Sequence, residues 1–232
     1  MKNLLSKRTL NKYSRQIILK DVGIIGQKKI FNSKILVVGA GGLGSPVIDL
    51  LVRAGVGFLG VIEDDKVDYS NLHRQTLYDY NDVGKYKSDV IKKKIKLIND
   101  KIKLKIFKER AKDKNLSKIL PKFDIIVDGT DNFPTKFLLN KYSLKYKKKL
   151  VIGAISKFDG HIFSFDFSQK KIPCLNCFYQ GMPSDEILNC EAEGILGPTA
   201  NVIGALQANE VLKLILGPVS YTHLRAHETK SY

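Results

Sequence analysis

The stretch KILVVGAGGLGSPVIDLLVRAGV, residues 34–56, decides the fold. Ile35 to Val38 is a short apolar run, the pattern of a strand buried on both faces. Gly39-Ala40-Gly41-Gly42-Leu43-Gly44 follows as GxGxxG and opens a helical pattern. Glycines there permit a tight turn and close approach of backbone to phosphate, and the helix N-terminus favours an anion. Ser45 is expected to cap the helix and Pro46 to sit in its first turn. Asp49 and Arg53 make an i, i+4 pair on its polar stripe.

Working outward, FLGVIED, KLKIF, FDIIVDGTDN and KLVIGAIS read as further strands separated by helices. This alternation predicts an α/β, Rossmann-like, mostly parallel sheet with helices on both faces. DGHIFSFDF alternates as an antiparallel strand does, so the sheet is expected to turn mixed late. PTANVIGALQANEVLKLILG is a final, largely apolar helix that ends at Gly217-Pro218. Residues 219–232, VSYTHLRAHETKSY, lack a useful apolar period and hold two of the four histidines, His223 and His227. They read as a tail foreign to the fold or a disordered terminus.

The 232 residues suffice for one domain with a sizeable core. A composition 44% hydrophobic and 27% charged is that of a soluble globular protein. No run approaches the ~18 apolar residues of a membrane span. Three cysteines make a disulfide framework unexpected and a reducing cytoplasm the natural location. The net charge of +16 raises a nucleic-acid partner. VIKKKIKLIND argues for solvated lysines instead: Ile91, Ile95 and Ile98 make one helical face and lysines take the other.

An acidic cluster, Glu63-Asp64-Asp65, ends the second strand about 20 residues after the glycine loop, where a ribose-binding acid belongs. This much suggests a nucleotide, with NAD as the default. DYSNLHRQ (68–75) then concentrates Asn71, Arg74 and Gln75, and Lys87 follows. Arg74 and Lys87 can neutralise a triphosphate. DGTDN (128–132) closes a later strand, and Asp131 can hold Mg²⁺, a hard cation that takes carboxylate and phosphate oxygens together. A dinucleotide enzyme needs neither. His73 and His161 show no partner pattern and read as structural.

YSRQ (13–16), GAGGLG, DYSNLHRQ, DGTDN, PCLNC (173–177) and the segment 189–217 together resemble the MoeB/ThiF family, bacterial relatives of ubiquitin-activating enzymes. The resemblance spans roughly residues 10–218 and implies an adenylation domain over 1–218. It implies an enzyme that binds MgATP and adenylates the C-terminal glycine of a ubiquitin-fold sulfur carrier ending in Gly-Gly, for molybdopterin or thiamine biosynthesis. Carried over by motif, Gly39, Gly41, Gly42 and Gly44 lie beneath the nucleotide. Glu63 faces the ribose, where the family usually has Asp, and Asp65 assists. Asn71, Arg74 and Lys87 face the phosphates, with Gln75 and Asn132 also in the nucleotide site. Asp131 holds Mg²⁺, and Arg15 reaches the ATP of the other subunit of a homodimer.

The family holds Zn²⁺ with two CxxC pairs. Cys174 and Cys177 supply one, and the sequence leaves the family pattern at about Val219, so the zinc site is incomplete. Cys190 matches a cysteine that joins sulfur transfer in the ThiF branch; a loop cysteine unused in adenylation is the equal alternative. Three other readings stand beside this one. A related tRNA threonylcarbamoyladenosine dehydratase is favoured by the net charge; CxxC and YSRQ favour the sulfur-carrier branch. An NAD-dependent oxidoreductase is opposed by Arg74, Lys87 and Asp131. A non-catalytic module would have lost motif residues that are present here.

Overall fold

The computed structural model describes residues 5–169, 172–180 and 194–217. In chain order the elements are α1 (Lys7–Lys12), α2 (Ser14–Ile17), α3 (Gly23–Asn32), β1 (Lys34–Val38), α4 (Gly44–Ala54), β2 (Phe58–Ile62), α5 (Lys87–Ile98), β3 (Lys103–Phe107), α6 (Asp113–Ile119), β4 (Ile125–Asp128), α7 (Phe133–Lys145), β5 (Lys149–Ser156), β6 (Asp159–Asp166), α8 (Leu175–Tyr179) and α9 (Gly197–Leu216). The six strands form one sheet in the order β3-β2-β1-β4-β5-β6. All neighbours are parallel except β5 and β6, which are antiparallel, as the alternation in DGHIFSFDF predicted.

β1 lies centrally between β2 and β4, and its side chains alternate between two cores. Ile35 and Val37 pack with Val47, Ile48 and Leu51 of α4, Ile91 and Ile95 of α5, and Ala208 and Val211 of α9. Leu36 and Val38 face the other way, onto Leu116 and Ile119 of α6, Leu139 and Tyr142 of α7, and Leu175 of α8. Such a strand has no solvated face, which is why it reads as a continuous apolar run. In α5, Ile91 and Ile95 are buried, Ile98 packs on the same core, and Lys92, Lys93 and Lys96 are exposed. The edge strand β3 turns Lys103 and Lys105 outward, charges that discourage another strand from pairing there.

One local expectation is corrected. α4 begins at Gly44 and has no side-chain cap; Ser45 lies inside the first turn, fully buried. Its hydroxyl donates instead to the Ala40 carbonyl at 3.1 Å. A Cβ on Gly44 would lie 2.0 Å from the Gly39 oxygen. The helix can thus start against the turn only because residue 44 has no side chain. It ends at Gly55, whose φ of 92° gives the left-handed conformation that closes helices.

Candidate active site

Three turns meet at the carboxyl ends of β1, β2 and β4, where open α/β sheets place their ligands. Gly39 leaves β1 with φ 83°, and its amide donates to the Ile62 carbonyl at 3.0 Å. The turn after β4 packs directly on this loop. A Cβ on Gly129 would lie 2.8 Å from the Gly39 oxygen and 2.9 Å from the Gly44 Cα. The two turns therefore interlock at backbone contact distance.

The Ala40 peptide groups are held from both sides. Glu63 is 6% exposed, and its Oε2 accepts the Ala40 amide at 2.8 Å while its Oε1 accepts the Asp65 amide at 2.9 Å. The Ala40 carbonyl accepts the Tyr78 hydroxyl at 2.9 Å as well as that of Ser45. Burial, with the Glu63 carboxylate nearby, pushes the Tyr78 hydroxyl well above the ordinary tyrosine value. Glu63 thus ties β2 to the glycine loop through its carboxylate, a task that the motif did not reveal.

Arg74 and Gln75 lie directly over the glycines. The Arg74 Cδ and Cγ are 3.5 and 3.6 Å from where a Cβ on Gly42 would sit, and the Gln75 Nε2 is 3.6 Å from one on Gly41. Both residues follow Asn71, whose carbonyl accepts the Arg74 and Gln75 amides at 3.1 and 2.9 Å. Gln75 is 4% exposed, and its Oε1 has no hydrogen-bond partner. The Arg74 Nη1 donates to the Ser70 carbonyl at 3.1 Å and lies 2.8 Å from the His73 Nε2. The first turn of α9 closes this side: Ala200 abuts Gly42, and the Asn201 Nδ2 donates to the Arg74 carbonyl at 3.2 Å.

Lys87 opens α5 as a buried residue, with its Nζ 3.5 Å from the Asp65 Oδ2. Asp64 and Asp65 also face Arg110, at 3.4 and 3.7 Å. Oxygens of Glu63, Asp64 and Asp65 lie within 4.8 Å of one another, but those of Glu63 are already bonded to amides.

On the β4 turn the two aspartates differ. Asp128 is fully buried: its Oδ1 accepts the Thr130 amide and hydroxyl at 2.9 and 2.6 Å, and its Oδ2 accepts the Lys136 Nζ at 3.0 Å. Asp131 is exposed, and its Oδ1 accepts the Asn132 side-chain Nδ2 at 3.4 Å. The Asn132 Oδ1 accepts the Thr135 amide at 3.0 Å and so caps α7. Asp128, Lys136, Tyr78, Ala200 and Asn201 were not singled out from the sequence. Their burial and partners arise only once distant elements meet.

Arg15 is not brought to these residues. It is exposed on α2, and the neighbouring Gln16 donates to the Ala54 carbonyl at 3.2 Å, at the far end of α4 from Gly44. Cys174 and Cys177 lie at α8 with their Sγ atoms 3.7 Å apart, and gather no third Cys, His or acidic ligand among the described residues. Burial pushes the Cys174 thiol up, but hydrogen bonds from the Cys177 amide and Asn140 outweigh it and hold the thiol below its ordinary value. Cys190, His223, His227 and residues 219–232 lie outside the described residues. A cavity of about 520 Å³ bordered by Asn32, Ser33, Asp124 and Lys149 opens at the opposite, amino end of the sheet.

The ThiF family model matches residues 13–231. The sulfur carrier protein adenylyltransferase of Thermus thermophilus is 40% identical over 216 residues, covering 91% of this chain and 80% of that protein. A probable molybdopterin-synthase adenylyltransferase of the alga Gracilaria tenuistipitata is 38% identical, covering 92% of this chain and 59% of that one. The chain spans only half the length of the mosquito (Culex quinquefasciatus) adenylyltransferase and sulfurtransferase MOCS3, at 40% identity and 93% coverage of this chain. Among solved structures, E. coli MccB with ATP superposes with a TM-score of 0.75 at 28% identity, over 89% of this chain and 64% of that chain. With the interlocked glycine turn, the basic segment laid across it and relatives at this level of identity, the chain belongs to the ThiF family.

Proposed function

We propose that the chain adenylates the C-terminal glycine of a small ubiquitin-fold sulfur-carrier protein ending in Gly-Gly, using ATP. The observation that carries this reading is the placement of Arg74 and Gln75 on the glycine loop. The Arg74 Cγ and Cδ lie over Gly42 and the Gln75 Nε2 over Gly41, and the buried Gln75 Oε1 has no hydrogen-bond partner. An orphaned buried acceptor is costly unless a ligand donor satisfies it. None of the relatives named above is a dehydratase or an oxidoreductase.

In this reading the carrier carboxylate attacks the α-phosphate, giving an acyl-adenylate and pyrophosphate. The chemistry needs no covalent enzyme intermediate. Positioning two anions and stabilising the charge that develops on phosphate is the catalysis. Gly39, Gly41, Gly42 and Gly44 admit the nucleotide, and Arg74 and Lys87 balance phosphate charge. Asn71, Gln75 and Asp65 complete the cradle. Glu63 holds the loop and can reach the ribose with its remaining lone pairs. Asn132 contributes by ending the Asp131 turn in a cap.

A magnesium ion fits the donor set. Asp131 carries an exposed carboxylate that pairs with no cation among the described residues, while Asp128 is turned inward onto Lys136. Asp131 would hold the ion, which would supply charge neutralisation between phosphates. Zinc fits less well, since a closed structural site takes four ligands and the described residues supply Cys174 and Cys177. The free thiols suit a reducing cytoplasm, and among the described residues no helix is long and apolar enough to cross a membrane.

The working unit in this reading is a homodimer. Arg15 is exposed beside Ile18, Leu19, Ile24 and Ile25, which are 74, 56, 47 and 76% exposed, an apolar run suited to a second copy. The test is ATP–pyrophosphate exchange with candidate carriers. Exchange should appear only with a carrier ending in Gly-Gly, and Arg74→Ala or Asp131→Ala should lower it about 10²–10³-fold. No exchange with any carrier, alongside tight NAD binding, overturns the proposal.

A further inference from the structure

We infer that Lys136 is a positioning residue that fixes Asp131 at the mouth of the glycine loop by neutralising Asp128 behind it. The inference rests on the reading of this site as one for MgATP.

Lys136 lies on the first turn of α7 and is 4% exposed. Its Nζ donates to the Asp128 Oδ2 at 3.0 Å, the Thr130 carbonyl at 2.7 Å and the Gly153 carbonyl at 2.7 Å. An ammonium has three donors, and all three are used here. The bonds join β4, the turn after it and β5 through one buried charge. Gln207 adds α9 by donating from its Nε2 to the Asp128 carbonyl at 2.8 Å.

The effect on the turn is selective. Two carboxylates flank Gly129-Thr130, yet one is spent. Asp128 is fully buried and accepts from Thr130 twice and from Lys136, so it is not presented to an outside cation. Asp131 lies between two pinned points: the Thr130 carbonyl held by Lys136, and Asn132 held as the cap of α7. It is the carboxylate of this turn left facing outward. Gly129 also touches Gly39, so the same ammonium fixes the height of the turn against the nucleotide loop. Without it, Asp128 is a buried anion lacking its counter-charge, and the turn must reorganise to hydrate it.

Because Lys136 acts through Asp131, its effect should depend on Asp131. Lys136→Met, Lys136→Arg and the charge-neutral pair Asp128→Asn/Lys136→Met are each made with and without Asp131→Ala. ATP binding is followed by calorimetry across a Mg²⁺ titration, and kcat and KM by pyrophosphate exchange. With Asp131 present, Lys136→Met should raise the Mg²⁺ needed for half-maximal ATP binding about tenfold and lower kcat about 10²-fold. Lys136→Arg should recover most of both. In the Asp131→Ala background the same change should cost less than about twofold, the mark of two residues acting as one. If Lys136→Met does not fold, the charge-neutral pair is read in the same two backgrounds.

Equal fold-losses with and without Asp131, or no loss in either, overturn the inference. A wild-type chain that binds MgATP but exchanges no pyrophosphate overturns adenylation instead, and calorimetry still decides the coupling. A chain that binds no nucleotide overturns both.

Discussion

Ala40 is held by side chains from two directions, Glu63 on its amide and Tyr78 with Ser45 on its carbonyl. Tyr78→Phe should cost about 1 kcal/mol at neutral pH by removing one buried hydrogen bond. The folded pKa of Tyr78 is raised above the unfolded value near 10.0. Its contribution is therefore fully present below pH 10 and is lost as pH rises beyond, because only the unfolded chain ionises readily there. Urea melts from pH 7 to 11 should show the gap between wild type and Tyr78→Phe shrinking above pH 10. A constant gap would mean that the hydroxyl is not buried as described. At this scale the sequence marked the glycines, Arg74, Gln75 and Lys87, because short motifs carry them. It could not mark Tyr78, Asp128 or Lys136, whose roles rest on backbone carbonyls and amides brought from other elements.

α7 shows how an element serves the site through its end. Asn132 accepts the Thr135 amide, Pro134 occupies the first turn, and Asp131 immediately precedes the cap. Asn132→Ala should destabilise the protein by about 1 kcal/mol, and Asn132→Asp should restore most of that, since Asp caps as well as Asn does. Thermal melts read the cost, and exchange kinetics read whether Asp131 shifts with it. Failure of Asn132→Asp to recover stability would count against the cap. Elements were largely legible in the sequence. Strands buried on both faces announce themselves as apolar runs, and β6 as an alternation. The missed detail was the start of α4. Ser45 has the chemistry of a cap, but the contact between Gly44 and Gly39 sets the helix start two residues earlier, and no propensity encodes that contact.

At the scale of the molecule, Arg15 lies at the wrong end of α4 to serve the glycine loop beside it. If it serves a second copy, inactive Arg15→Ala chains mixed with inactive Asp131→Ala chains should regain activity through hybrid dimers, up to about a quarter of wild type, because random mixing makes about half the dimers hybrids and each hybrid has one intact site of two. Light scattering that finds an active monomer would exclude the arrangement. Pattern alone gave the parallel sheet and its two cores, but which surface meets another chain is written in exposure, which periodicity does not report. The placement of α9 has a consequence in time. Its residues Ala200, Asn201 and Gln207 close the site against Gly42, Arg74 and Asp128. At ribosomal speed, roughly 10–35 s separate synthesis of the glycine loop from synthesis of this helix. Throughout that interval the nascent chain has a glycine loop with no wall behind it, and a nucleotide bound as proposed would stabilise only the finished molecule.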